Sequence, residues 1–147
     1  MIANHAGQRL VWTIMLFVVN LLPGCSNSPQ CIPVQGTVTV DGAKVPGPGF
    51  IYFTSDPDHT QGLSRPGTAE FDAEGNYKVK TFMPGDGLLP GKYLLRVDCW
   101  QSAPNMEGKP VISFLPQKYQ NASSSGLVLN VEPNSVSITF DVKLMSK

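Results

Sequence analysis

Between Val34 and Leu144 the apolar residues recur at every second position in short runs, and no 3.6-residue spacing lasts more than two turns. Such alternation puts one set of side chains on each face of a strand, so the pattern selects half-buried strands and supplies no helix to cover them. Val34, Gly36, Val38 and Val40 alternate with Gln35, Thr37 and Thr39, then Asp41-Gly42 marks a turn and Val45 opens a short return. Phe50–Thr54 is a compact β-rich run. Thr68–Phe71 and Tyr77–Lys80 form a hairpin around Asp72-Ala73-Glu74-Gly75-Asn76. Tyr93, Leu95, Val97 and Cys99 share a face, with Leu94, Arg96 and Asp98 on the other. Trp100–Ser113 is irregular, and Leu115–Tyr119 has room for a single helical or 3₁₀ turn. Leu127–Val131 and Val136–Leu144 read as a closing hairpin across Glu132–Ser135, with Val136, Ile138, Phe140, Val142 and Leu144 inward. Seven or eight short strands with turns between them predict one all-β domain, a single Greek-key β-sandwich.

Composition narrows the reading further. The chain has 147 residues, 41% of them hydrophobic, enough for one domain with a small core. Eleven Lys+Arg balance eleven Asp+Glu, which leaves no basic surface for gripping nucleic acid. Charged residues make up 15% against a usual ~25%, while 14 Gly and 13 Pro supply the turns.

Residues 1–24 read as an address. Leu10–Leu22 holds thirteen residues with only Thr13 and Asn20 polar, short of the ~20 needed to cross a bilayer. Arg9 precedes this run and Leu22-Pro23-Gly24-Cys25 follows it, the order of a secretory signal peptide. The last four residues resemble the lipobox of bacterial lipoprotein signal peptides. That resemblance implies cleavage before Cys25, a diacylglyceryl group on its thiol and attachment to a membrane through lipid; the alternative is an ordinary signal peptide with a chance cysteine. Two or more acyl chains hold a protein stably on a bilayer, where one holds only marginally. Residues 25–33 then make a short polar tether ahead of a domain spanning 34–147. Ser26, where many retained lipoproteins carry Asp, suits an outer-membrane or periplasmic-face location in the cell envelope.

With Cys25 lipidated, Cys31 and Cys99 remain as an even pair in an oxidising compartment. A bridge between them would close nearly seventy residues and stabilise by roughly 4 kcal/mol. The other reading is two separate thiols, one buried and one in the tether.

The order of motifs carries a second resemblance. Val34–Gly47 (VQGTVTVDGAKVPG), Asp72–Tyr77 (DAEGNY), Gly87–Val97 (GLLPGKYLLRV) and Leu115–Tyr119 (LPQKY) together resemble carboxypeptidase-regulatory-like domains in small bacterial lipoproteins. The resemblance covers nearly all of residues 34–144 and implies a transthyretin-like Greek-key sandwich and an envelope location, but no activity. Tyr93, after Pro90-Gly91-Lys92, is expected to pack its ring and bond its hydroxyl to nearby backbone. Gly42, Gly75 and Gly91 are expected to supply turn geometry.

Chemistry is hard to place on this chain. Beyond the signal peptide it has one histidine, His59, beside Asp56 and Asp58, too few ligands for a zinc site. Neither that loop nor Asp72/Glu74/Asn76 matches a twelve-residue calcium loop, and both read as polar turns. No Gly-x-Ser-x-Gly elbow is present, and the hydrolases and dioxygenases built on related sandwiches need several histidines. The lysine that crosslinked adhesin domains place in their first strand is also missing from Val34–Val40. The expectation is therefore a non-enzymatic module without cofactor, metal or catalytic residues. Its partners are a membrane, through lipid on Cys25, and an envelope protein or a glycan. Two function classes compete: a structural or protein-interaction module, and a binding module for a small ligand or carbohydrate. For the second, Trp100, Phe114 and Tyr119, with Tyr52, are the candidate stacking aromatics. Their exposure on one surface would favour a ligand, and their burial an interaction module.

Overall fold

The computed structural model describes residues 30–56, 58, 65–102, 106–108 and 110–146. The expected signal segment, Cys25 and His59 lie outside the described residues.

Strand β1 (Val34–Val40) turns through Asp41-Gly42 into β2 (Ala43–Lys44), pairing Val40 with Ala43 and Thr39 with Lys44. Both turn residues have positive φ, 51° and 76°, the left-handed geometry that Asp-Gly adopts in two-residue hairpins. Strands β3 (Gly49–Ser55), β4 (Gly67–Phe71) and β5 (Asn76–Lys78) follow, then β6 (Gly91–Asp98), the longest. A two-stranded ribbon of β7 (Trp100–Ser102) and β8 (Ile112–Ser113) stands apart as its own sheet. A 3₁₀ turn at Gln117–Gln120 precedes β9 (Val128–Val131), β10 (Ile138–Thr139) and β11 (Val142–Leu144).

The main sheet runs β10-β1-β5-β4-β3-β6-β9, with β2 and β11 also on β1. It curls where β4 meets β5, a junction laddered only at Phe71↔Tyr77 and bridged again at Thr68↔Lys80. The curl brings Phe53 of one half to 6.5 Å from Tyr77 of the other, ring centre to ring centre. Between the halves lie Val34, Val38, Ile51, Phe53, Phe71, Val79, Leu95, Val97, Val142 and Leu144, all buried. Every one of these sits at an alternating inward position, so the period-two pattern is what builds the core. The fold is the expected all-β sandwich.

The closing hairpin is a correction. β9 pairs antiparallel with β6, while β10 and β11 pair parallel with β1, so Glu132–Ser137 is a crossover between the two halves. β9 and β10 sit at opposite ends of the strand order, so a tight turn, which pairs the two strands it joins, cannot connect them. The long last strand is also interrupted at Phe140–Asp141. There Tyr77 Oη donates to the Phe140 carbonyl, and Asp141 Oδ1 accepts from Thr37 N at 3.0 Å and Thr37 Oγ1 at 2.8 Å. Val136, expected inward, is exposed.

All long elements lie along one axis, which gives the sandwich two ends. Val34, Val79, Gly91 and Val131 mark one, where the chain enters; Val40, Gly49, Phe71 and Asp98 mark the other. Entry is fixed by Ile32, which exchanges backbone hydrogen bonds with Leu88 at 2.7 and 3.0 Å.

Candidate functional site

Tyr119, one of the three aromatics proposed for ligand stacking, is only 4% exposed. Its hydroxyl accepts from Met145 N at 3.0 Å, which ties the 3₁₀ turn to the chain beyond β11. Trp100 turns to the outer face of the sheet, its ring 6.0 Å from Phe50. Phe114, 39% exposed, leans instead toward Gly47, and its N–H donates to the Cys99 carbonyl. The three rings thus fall in three surroundings and form no platform. Their sequence spacing gave no means of seeing this, because Trp100 and Phe114 leave the sheet on opposite sides of the ribbon.

The outer face of β3 and β6 holds a tighter cluster. Arg96 lies over the Tyr52 ring, 4.1 Å from guanidinium carbon to ring centre, and reaches Asp98 at 3.3 Å. Arg96 Nε is buried with no hydrogen-bond partner, covered in this stack. Burial pushes the Asp98 carboxyl above the ordinary range, and Arg96 opposes that rise. The pairing Phe50↔Asp98 and Tyr52↔Arg96 places the whole cluster across two strands, so it clamps the sheet. Sequence alternation placed Arg96 and Asp98 on this face but gave no sign of their stacking partner.

An open groove of about 920 Å³ runs beside β1, β4 and β5, lined by Glu70, Asp72, Asn76, Lys78 and Asp141 among others. Two of its carboxylates, Asp72 and Asp141, are already engaged. Asp72 Oδ1 accepts from Asn76 N at 2.8 Å, and hydrogen bonds from Thr37 hold Asp141 below the usual carboxylate range. Among the described residues no group of three or more His, Cys, Asp or Glu could hold a metal ion.

Cys31 and Cys99 are both free. Cys99 is buried at the far end of β6, its thiol donating to the Gly47 carbonyl at 3.4 Å. Cys31 lies at the entry end beside Asp86 and Tyr93. Tyr93 and Cys99 are six residues apart along a strand, roughly 20 Å, far beyond the ~7 Å that a bridge tolerates between Cα atoms. The bridge that the cysteine count allowed is thus not formed, and the separate-thiol reading describes the structure.

Most of the exposed apolar side chains sort by end, Val128 on the edge strand β9 opposite Leu94 being the exception. Met106, Val111, Ile112 and Phe114 are exposed on and beside the β7–β8 ribbon, which leaves β6 at the far end, and Met145 is exposed at that end too. Phe82, Met83 and Val136 are exposed at the entry end. Sequence reading singled out Phe114 only as a stacking ring and placed Val136 inward; the other members of the two groups it left in stretches read as irregular or as turns.

Among the described residues no helix is long and apolar enough to cross a membrane. No family model, curated protein or solved structure matches this chain.

Proposed function

We propose that the protein is a non-catalytic lipoprotein of the cell envelope, held on a membrane through lipid on Cys25, that presents one carboxypeptidase-regulatory-like sandwich as a protein-interaction module. The observation that carries this reading is the exposed apolar ribbon, with Val111, Ile112 and Phe114 open at the end farthest from chain entry. Several large apolar side chains left exposed on one short ribbon of a small domain favour a contact with another molecule. A tether attached at the opposite end holds that surface away from the bilayer, where a second envelope protein can reach it. Capture of a small ligand through Trp100, Phe114 and Tyr119 is less well supported, because Tyr119 is buried and the other two rings point to different surroundings.

Two measurements test the proposal. Intact mass of the native protein should begin at Cys25 with added acyl mass, and a Cys25→Ala variant should lose that addition. A photo-crosslinking residue at Ile112 should yield protein adducts in whole cells, where the same residue at Glu70, on the side of the sandwich, yields none. An unmodified mass that includes the signal segment removes the anchor. Equal adducts from both positions remove the ribbon as the contact.

A further inference from the structure

We propose that the Thr81–Gly87 loop is a second, direct membrane contact: Phe82 and Met83, with Val136 beside the same end, seat in the interface of a phospholipid bilayer and stand the domain upright on it. This rests on the lipid anchor at Cys25 proposed above.

The first support is the length of chain outside the structure and where it arrives. Ile32 is clamped to Leu88 by two backbone hydrogen bonds, so the tether meets the domain at a fixed place. Cys25 is seven residues earlier, and seven extended residues reach at most ~25 Å. The strand pairs Val34↔Ile138 and Gly91↔Val131 lie at the same end, so the anchor's reach centres on this end of the sandwich, and the far end, about 26 Å from Ile32 along β1, lies at its outer limit.

The second is what that end exposes. Phe82 is 47%, Met83 69% and Val136 90% exposed, which puts three large apolar side chains in water within reach of the anchor. Phe82 and Met83 belong to one short loop, and Val136 to the crossover that follows β9.

The third is the loop's internal bonding. Asp86 accepts from the backbone N–H groups of Thr81 at 2.7 Å, Phe82 at 2.9 Å and Met83 at 3.0 Å. Thr81 Oγ1 donates to the Gly87 carbonyl at 2.6 Å, and Asp86 N donates to the Met83 carbonyl at 3.2 Å. Backbone groups entering an apolar layer must be satisfied within the protein, and these N–H groups already are. The loop's carboxylate is spent on its own backbone. The Arg65 guanidinium lies over the Phe82 ring, 5.1 Å to its centre, which sets a cation beside the apolar loop where it can meet a lipid phosphate. Loop tips that pair an aromatic and a long apolar residue with a neighbouring cation fit the headgroup boundary of a bilayer. A contact of this size is weak when free in solution. The short tether makes it intramolecular and so raises its occupancy without further contacts.

The full lipidated chain, reconstituted into phosphatidylethanolamine/phosphatidylglycerol vesicles with brominated acyl chains, provides the test. Phe82→Trp and Met83→Trp each add an emitter at the loop, and Ile112→Trp adds one at the far end. The two loop variants should lose about half of the added emission to bromine, while the wild type, left with Trp100 alone once cleavage before Cys25 removes Trp12, and the Ile112→Trp protein lose none. If both loop tryptophans stay bright in protein that floats with the vesicles, the contact is wrong although the anchor holds. Equal quenching at Ile112 overturns the upright orientation. Protein that does not float removes the anchor, and this contact with it.

Discussion

At Asp86 one carboxylate takes three consecutive backbone N–H groups, and the local order of the entry end depends on it. Burial raises its pKa, but the donors at Thr81, Met83 and Phe82 outweigh that, and the group titrates below the usual carboxylate range. A folded pKa below the unfolded value of ~3.9 stabilises above that pH, and the gain is lost as pH falls through the folded value. Asp86→Ala should therefore cost about 2 kcal/mol at neutral pH, read from urea midpoints, and the gap to wild type should narrow below about pH 4. Constant destabilisation across that range would show that the charge plays no part. The motif was invisible at the outset, because Pro84-Gly85-Asp86-Gly87 reads as generic punctuation and only coordinates show three amides converging. Tyr93 was the opposite case. Its place after Pro90-Gly91-Lys92 predicted a packed ring and a hydroxyl on nearby backbone, and the hydroxyl donates to the Leu89 carbonyl at 2.9 Å from a fully buried ring.

Among the elements, β6 and the Ile32–Leu88 clamp set the geometry that matters most. β6 holds Cys31 and Cys99 at opposite ends of the sandwich, and burial raises the pKa of both thiols. Alkylation of the native mature protein followed by mass spectrometry should label Cys31 first and leave Cys99 unlabelled, and denaturation should expose both as free thiols. If neither thiol is labelled after unfolding without reductant and both are labelled once a reductant is added, the two are bridged and the separation is wrong. The clamp depends on Gly87, whose φ is +92° and whose absent Cβ would fall 1.8 Å from the Ile32 carbonyl oxygen. Gly87→Ala combines left-handed strain of ~1–2 kcal/mol with that collision, so a total loss of about 2–4 kcal/mol is expected. Amide exchange at Ile32 and Leu88 should accelerate before the rest of the sheet does. Alternation made most strands legible, since it reports which residues face inward. It does not report partners, which is why Leu127–Val131 and Val136–Leu144 looked like a hairpin although they join different halves of the sandwich.

For the whole molecule, the consequential feature is a sandwich with exposed apolar side chains at both ends and, in the proposed reading, a tether at only one of them. The fold class followed from the sequence because a core needs only inward alternation, which survives any choice of strand order. The ends were not legible, since exposure of Phe82 or Ile112 depends on which loops fail to fold back over them. If the short tether is what keeps the entry end on the bilayer, its length should control that contact and leave folding alone. Fourteen Gly/Ser residues inserted between Pro29 and Gln30 lengthen the seven-residue stretch from Cys25 to Ile32 threefold. Effective concentration falls roughly as the −3/2 power of tether length, so the contact equilibrium at the loop should drop about fivefold. In vesicles with brominated chains, the Phe82→Trp protein with the insertion should regain most of its emission while still floating and keeping its urea midpoint. Unchanged quenching would mean that the loop holds to lipid on its own strength and that the anchor's proximity contributes nothing to orientation.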